Sequence, residues 1–228
     1  MIPLRDDNPT QTRPVVTVTL IVTCVLVFFW QLSLGSEGMQ RAVYALGVIP
    51  AVLFEGKSLP PELQVVPPVA TIFTSMFLHG GLLHLGGNML YLWIFGNNIE
   101  DAMGHGWFIA FYLLCGVAAV LMQALPDTSA TVPMIGASGA ISGVLGAYLL
   151  LYPRAHVLVL IPFGFFLQMV SLPAVVVLGL WFVIQLISSA FAGSGGGVAF
   201  GAHVGGFVAG MALIPLFKRR SVRLWRGP

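Results

Sequence analysis

The chain has 228 residues, of which 57% are hydrophobic and 8% charged, against about 25% charged residues in an ordinary soluble domain. That composition excludes a soluble fold and points to an all-α membrane protein, because chain immersed in lipid must satisfy its own backbone groups and helices do so. A formal net charge of +2 is too small to suggest nucleic acid as a partner.

Residues 1–14 read as a short cytoplasmic segment, and the first apolar run, Val15 to Leu34, follows it. That run is too long for a signal-peptide core and lacks a small-residue cleavage site, so it is read as a retained helix. The connection from Gly35 to Thr71 is long, rich in proline and glycine and still apolar, as expected of chain lying partly in the membrane interface. Two further spans are placed at Leu82 to Ile99 and Trp107 to Leu125, and a fourth at Ser138 to Tyr152. The fourth connection, Pro153 to Leu172, contains the apolar stretch Val157 to Val170 broken by Pro162 and Gly164. It is too interrupted for a seventh span and is read as a cytoplasmic-side interfacial segment. The last two spans, Pro173 to Phe191 and Val198 to Phe217, flank a glycine-rich joint at Ala192 to Gly197, and residues 218–228 form a basic tail. The expected fold is thus a six-transmembrane-helix bundle over residues 15–217. An even number of crossings puts both termini on one side. Eight of the ten Lys and Arg residues fall on that side, which makes it cytoplasmic. Cys24 and Cys115 lie inside apolar runs and read as small buried hydrophobes.

The informative residues are the polar ones that enter these spans, because such groups are costly in lipid and are functional candidates by default. Ser138 opens the fourth span within Gly136-Ala137-Ser138-Gly139, His203 lies in the sixth within Gly201 to Gly206, and His84 and Asn88 begin the second. Counting 1.5 Å per residue from the nearest cytoplasmic boundary puts Ser138 and His203 both at about 22 Å, with His84 at about 24 Å and Asn88 at about 18 Å. All four therefore share a layer sunk in the membrane nearer its outer face. A serine hydroxyl becomes a nucleophile when a neighbouring base takes its proton, and histidine suits that task. Asn88, His84 and the Ser138 backbone N–H at a helix start can supply donors to an oxyanion. No carboxylate falls in this layer, so a Ser138–His203 dyad is expected, and the five-residue spacing of His79 and His84 is a poor match for a helical zinc pair. Gly139 and Gly143, with Ala202, Gly206 and Gly210, repeat the spacing of small residues that lets membrane helices approach closely.

On these residues the chain resembles the rhomboid intramembrane serine proteases. The likeness rests on G-x-S-G at Gly136 to Gly139, A-H-x-x-G at Ala202 to Gly206 and H-x-x-x-N from His84 to Asn88, in that order on the fourth, sixth and second spans. The resemblance implies a six-helix fold, a Ser–His dyad without cofactor or metal, and cleavage of single-span membrane substrates near their outer boundary. It also implies a partly embedded first connection, and substrate entry by motion near the fifth span. Its strongest likeness is to bacterial members, which implies a bacterial inner membrane. Many family members carry an aromatic ring on the catalytic histidine from the position occupied here by Ser142, so the resemblance does not give how His203 is held. Ser142 lies on the same helix face as Ser138 but lacks the surrounding motif.

Taken singly, each residue has a plainer reading: Ser138 as a packing residue, His203 as an interhelical hydrogen-bond partner, Asn88 as a structural clamp. His79 reads as an interfacial residue near the site, His105 and His156 as solvated, and Trp181 as a core or lipid-facing ring. Two rival functions stand beside proteolysis. One is a non-catalytic relative that binds membrane segments as a chaperone. The other is a transporter built on the intramembrane histidines, weakened by the absence of acids in the hydrocarbon layer and of an internal repeat.

Overall fold

The computed structural model describes residues 1–163, 166–191 and 198–225. The first element is a strand, β1 (Ile2–Asp6), and the first long helix is α1 (Val15–Ser33). The first connection is mostly helical: α2 (Gly35–Leu46), α3 (Pro50–Phe54), short 3-10 turns and α4 (Thr71–Thr74). Four further helices and a hairpin follow: α5 (Leu82–Met103), α6 (His105–Ala124), α7 (Ser138–Leu151), β2 (His156–Phe163), β3 (Phe166–Pro173) and α8 (Ala174–Phe191). The last is α9 (Phe200–Phe217). The expected joint at Ala192 to Gly197 lies outside the described residues.

The protein is a predominantly helical, multi-pass membrane protein. By length and composition α1, α6, α8 and α9 can each cross a bilayer, and α5 counts as a fifth when joined to the preceding short helices, from which it bends by 82°. The nucleophile-bearing candidate helix α7 is shorter, with fourteen residues. It is the most enclosed of the helices, flanked by α6 and α9, with α5 also packing against it.

Glycine explains how α7 and α9 come so close. A Cβ on Gly206 would run into the Gly139 carbonyl, and one on Gly210 into the Gly143 carbonyl. The contact is therefore backbone on backbone, as spaced small residues permit. From the other flank Gly205 of α9 meets Met122 and the Ala118 carbonyl of α6.

The charged layer at the opposite end from Ser138 is tied together by α5. Glu100, fully buried, accepts the backbone N–H groups of Val16 and Thr17 at 2.9 and 2.8 Å and the Thr17 hydroxyl at 2.6 Å. A carboxylate there satisfies orphan donors at the start of α1 and sits favourably at its positive end. Asp101 holds Gln11 and Thr12 in the same way. His105 is exposed, as its reading as a solvated residue expects, and also places Nδ1 2.6 Å from Glu100 Oε1. Gly104 has φ +87°, a left-handed turn between α5 and α6 that glycine adopts without a side-chain penalty. The tail folds back across this end, with Arg219 N–H donating to the Ala102 carbonyl at 2.8 Å and Trp225 N–H to that of Leu150 at 2.8 Å.

The segment read as a cytoplasmic-side interfacial connection forms, with the amino terminus, an antiparallel sheet of order β1-β2-β3, with Pro3 opposite Val159 and Val159 opposite Val170. Val157 and Val159 are fully buried and join the main core. Near the turn, Phe166, Leu167 and Met169 are exposed. A short apolar run broken by proline does not declare itself as strand or helix by periodicity, and β1 lies some 150 residues away in sequence. Asp6 at the end of β1 accepts a hydrogen bond from the Tyr148 hydroxyl at 2.6 Å.

Candidate active site

Ser138 is the first residue of α7, so its backbone N–H is among the four that a helix start leaves without an intrahelical partner. The loop before it is stitched to the first connection: Met134 and Val48 exchange backbone hydrogen bonds of 2.7 and 3.0 Å, and Gly136 N–H donates to Ser75 O at 2.9 Å. Gly136 has φ +120°, a conformation that side chains disfavour. A Cβ there would also stand 2.7 Å from His84 Nε2 and 3.7 Å from Ser138 Oγ. Gly136 thus leaves open the small space that the imidazole and the hydroxyl both face. Ser138 itself is half-buried.

The ring of His84 is held by its other nitrogen. Gly80 N–H donates to Nδ1 at 3.3 Å, so the neutral ring carries its proton on Nε2, on the side of Gly136 and Ser138. Edge-on to it lies His79, with ring centroids 5.1 Å apart. His79 lies beside His84, as expected, and is fully buried. Gln31 of α1 grips its backbone from both sides, accepting its N–H at 3.0 Å and donating to its carbonyl at 3.3 Å. One turn along α5, Asn88 is buried, and its side-chain nitrogen has no hydrogen-bond partner among the described residues. A buried unpaired donor is costly, and a site awaiting an oxygen is one reason to keep it.

His203 sits in the first turn of α9. Its Nδ1 lies 2.8 Å from Oε1 of Gln185, a carbonyl-type oxygen that can only accept, so Nδ1 carries the proton and Nε2 keeps its lone pair. Trp181 packs against the ring at 5.8 Å and Phe200 at 6.4 Å. The histidine is therefore braced by aromatic rings from α8 and from its own helix. Ser142 contributes none of this: it is buried, and its hydroxyl donates to the Ser138 carbonyl at 2.6 Å. Gly139 packs on Ala119 and leaves room for Ala202 beside it. Gln123 of α6 accepts the Ala202 N–H at 3.1 Å and steadies the start of α9.

Among the described residues no hydrogen bond joins Ser138 to His203. In ligand-free sites such contacts are often long and tighten only around substrate. Chemically, the arrangement offers a hydroxyl at a helix start, one imidazole with a free lone pair and one with an N–H, and an unpaired amide donor.

Gln185 is the partner that the sequence reading passed over, and Trp181, read there as a core or lipid-facing ring, was not connected with His203. Gln185 had a signal: it is the one long polar side chain between Pro173 and Phe191. Gln31 and Gln123 carry the same mark, glutamine within an apolar run.

Comparison with known proteins places the chain in a family. The family model for the Rhomboid domain matches residues 67–220. Curated relatives include Rhomboid protein 1, mitochondrial, of Saccharomyces cerevisiae, 33% identical over 129 residues, covering 54% of this chain and 37% of the yeast protein. Rhomboid protease GluP of Bacillus subtilis is 38% identical over 78 residues, covering 34% of this chain and 15% of that protein. The human presenilin-associated rhomboid-like protein, mitochondrial, is 34% identical over 88 residues, covering 38% of this chain and 23% of its own length. The chain thus spans well under half the length of these relatives.

Proposed function

The chain belongs to the rhomboid family, and from that premise we propose that it is an intramembrane serine endopeptidase acting through Ser138 and His203. The observation that carries this reading is the complementary state of two histidines, His84 across Gly136 from Ser138 and His203 on the helix that packs against the start of α7. His203 keeps a lone pair on Nε2 because Gln185 occupies Nδ1, while His84 keeps an N–H on Nε2 because Gly80 occupies Nδ1. One ring is set to take a proton and the other to donate a hydrogen bond.

The reaction follows from those states. As the Ser138 Oγ attacks the carbonyl carbon of a substrate peptide bond, its proton passes to His203 Nε2. The developing oxyanion is met by His84 Nε2–H, the Asn88 amide and the Ser138 backbone N–H. The His203 imidazolium then gives its proton to the leaving amine, and an acyl-enzyme remains on Ser138. Water, deprotonated in turn by His203, releases the acid and restores the hydroxyl. Ser142 acts as a support here and Gly136 and Gly139 as spacers. The partners are transmembrane protein substrates in a lipid bilayer, and locally unwound substrate helices are favoured because a peptide bond tied up in a helix is poorly open to attack. In this reading the chain crosses the membrane six times, as its apolar runs suggest, with both termini cytoplasmic by the distribution of basic residues, the site toward the outer face, and a bacterial inner membrane by the likeness of the motifs to bacterial members.

A serine-directed fluorophosphonate probe tests the reading without a known substrate. Membrane-embedded protein should label, and Ser138→Ala and His203→Ala should both lose the label. If the intact protein stays unlabelled while an active family member reacts beside it, the chaperone reading replaces this one.

A further inference from the structure

Resting on the protease reading, we infer that Gln185 is a positioning residue for the base, and that α8, through Gln185 and Trp181, completes the site that α7 and α9 begin. The two helices that carry Ser138 and His203 meet backbone to backbone, so their spacing is fixed. Nothing in that contact fixes the rotation or the tautomer of the His203 ring. The α7 position one turn below Ser138, from which a ring could reach the histidine, is a serine whose hydroxyl is already bonded to the Ser138 carbonyl.

The hydrogen-bond partner comes from α8, and so does a ring that joins Phe200 of α9 in bracing the imidazole. Gln185 accepts from His203 Nδ1 at 2.8 Å and is itself buried, 8% exposed, so water does not compete for the bond. Trp181, four residues earlier and on the same face, lies against the ring at 5.8 Å and against Phe207 at 6.0 Å. Phe182 stacks on Phe207 at 4.4 Å and seats this part of α8 on α9. A histidine whose Nδ1–H is bonded keeps its proton there and presents Nε2 as the base. Without the acceptor, the ring is free to take the other tautomer, whose Nε2–H cannot accept the serine proton. Gln185 thus orients the base and, when the ring becomes cationic, continues to accept from Nδ1. It touches neither substrate nor the reacting atoms.

The test uses two readouts on the full chain in lipid nanodiscs. The first is nitrogen NMR of the imidazoles above neutral pH, with His203 assigned by the signal lost in His203→Ala; the chain has five histidines. The intact protein should show His203 protonated at Nδ1, and Gln185→Met should move protonation toward Nε2. The second is the rate of Ser138-dependent fluorophosphonate labelling, which Gln185→Met should slow by about ten- to a hundredfold, the factor expected for leaving one buried donor unpaired. The loss should fall on the inactivation step and not on probe affinity, and Gln185→Glu, which keeps an acceptor oxygen at the same reach, should retain most of the rate. If Gln185→Met does not accumulate, Gln185→Asn, shorter by one methylene, serves instead. An unchanged His203 tautomer together with unchanged labelling would overturn the inference. A shifted tautomer in a protein that never labels would sink the protease reading and leave the positioning role standing.

Discussion

The α7–α9 pair and α8 both build the environment of His203, yet they are made in opposite ways. Between α7 and α9 the glycines remove side chains, and carbonyl oxygens of one helix occupy the space where Cβ atoms of the other would be. In contrast, α8 keeps large side chains and presents many of them outward, with Val175, Leu180, Val183 and Ile187 near half exposure. It meets the rest of the bundle through Ala174, Val177 and Leu178 near its start and through Trp181, Phe182 and Gln185 farther along. The pair therefore fixes distances, while α8 fixes orientation. A site divided in this way should fail in two distinguishable modes.

The largest effect tests the pair at its chemistry. Ser138→Ala and His203→Ala are each expected to lower turnover by at least about a thousandfold, because members of such a unit are not additive. Both variants should keep the melting behaviour of the intact protein in detergent. Next comes Gly206→Val, which forces a branched side chain into the Gly139 carbonyl. Overpacking against backbone, which cannot rotate away, should cost stability as well as activity, on the order of 1–3 kcal/mol or more. A Gly206→Val protein that melts normally would break the claim that this contact is backbone on backbone.

Asn88→Ala removes one donor among several and should reduce turnover by about a hundredfold without altering the His203 tautomer. That separates oxyanion binding, on α5, from base orientation, on α8. Trp181→Leu should cost about three- to tenfold, the worth of one ring contact beyond its buried area, whereas Leu180→Ala beside it on the exposed face should change nothing. Equal effects from the two would mean that α8 acts by bulk alone.

The smallest effect lies at the far end. Burial holds the Asp6 carboxyl above its ordinary 3.8, partly opposed by the Tyr148 hydroxyl that donates to it. The native state keeps that proton to higher pH than the unfolded chain does. Stability should therefore decline as pH rises from about 3.8 through the raised native value, and Asp6→Asn should flatten that decline in thermal melts. Labelling at Ser138 should be indifferent to this change.

Most of the helical layout was legible because an apolar run long enough to span lipid has few alternatives. The polar residues inside those runs were legible for the same reason: each stands out against its surroundings. Gln185 shows the limit of that reading. It stood out equally, yet no motif marked it, and its partner is eighteen residues away across residues 192–197, whose structure is not described. The sheet shows a different limit. Val157 and Val159 look like any short apolar run until β1 pairs with them, and a pairing across 150 residues leaves no local trace.

By itself, then, the sequence determined that this is a helical membrane protein and which residues break its apolar spans, and it led to the expectation that Ser138, His203, His84 and Asn88 share one layer. Helix rise and hydrocarbon thickness are properties of the chain and its solvent, so those conclusions needed no neighbours. The tertiary structure decided what each ring faces: the proton on His84 Nε2 against Gly136, the lone pair on His203 Nε2, and the Ser142 hydroxyl turned back onto its own helix. Tautomers and ring orientations are fixed by partners on other helices, and which partners arrive is settled only when the helices pack.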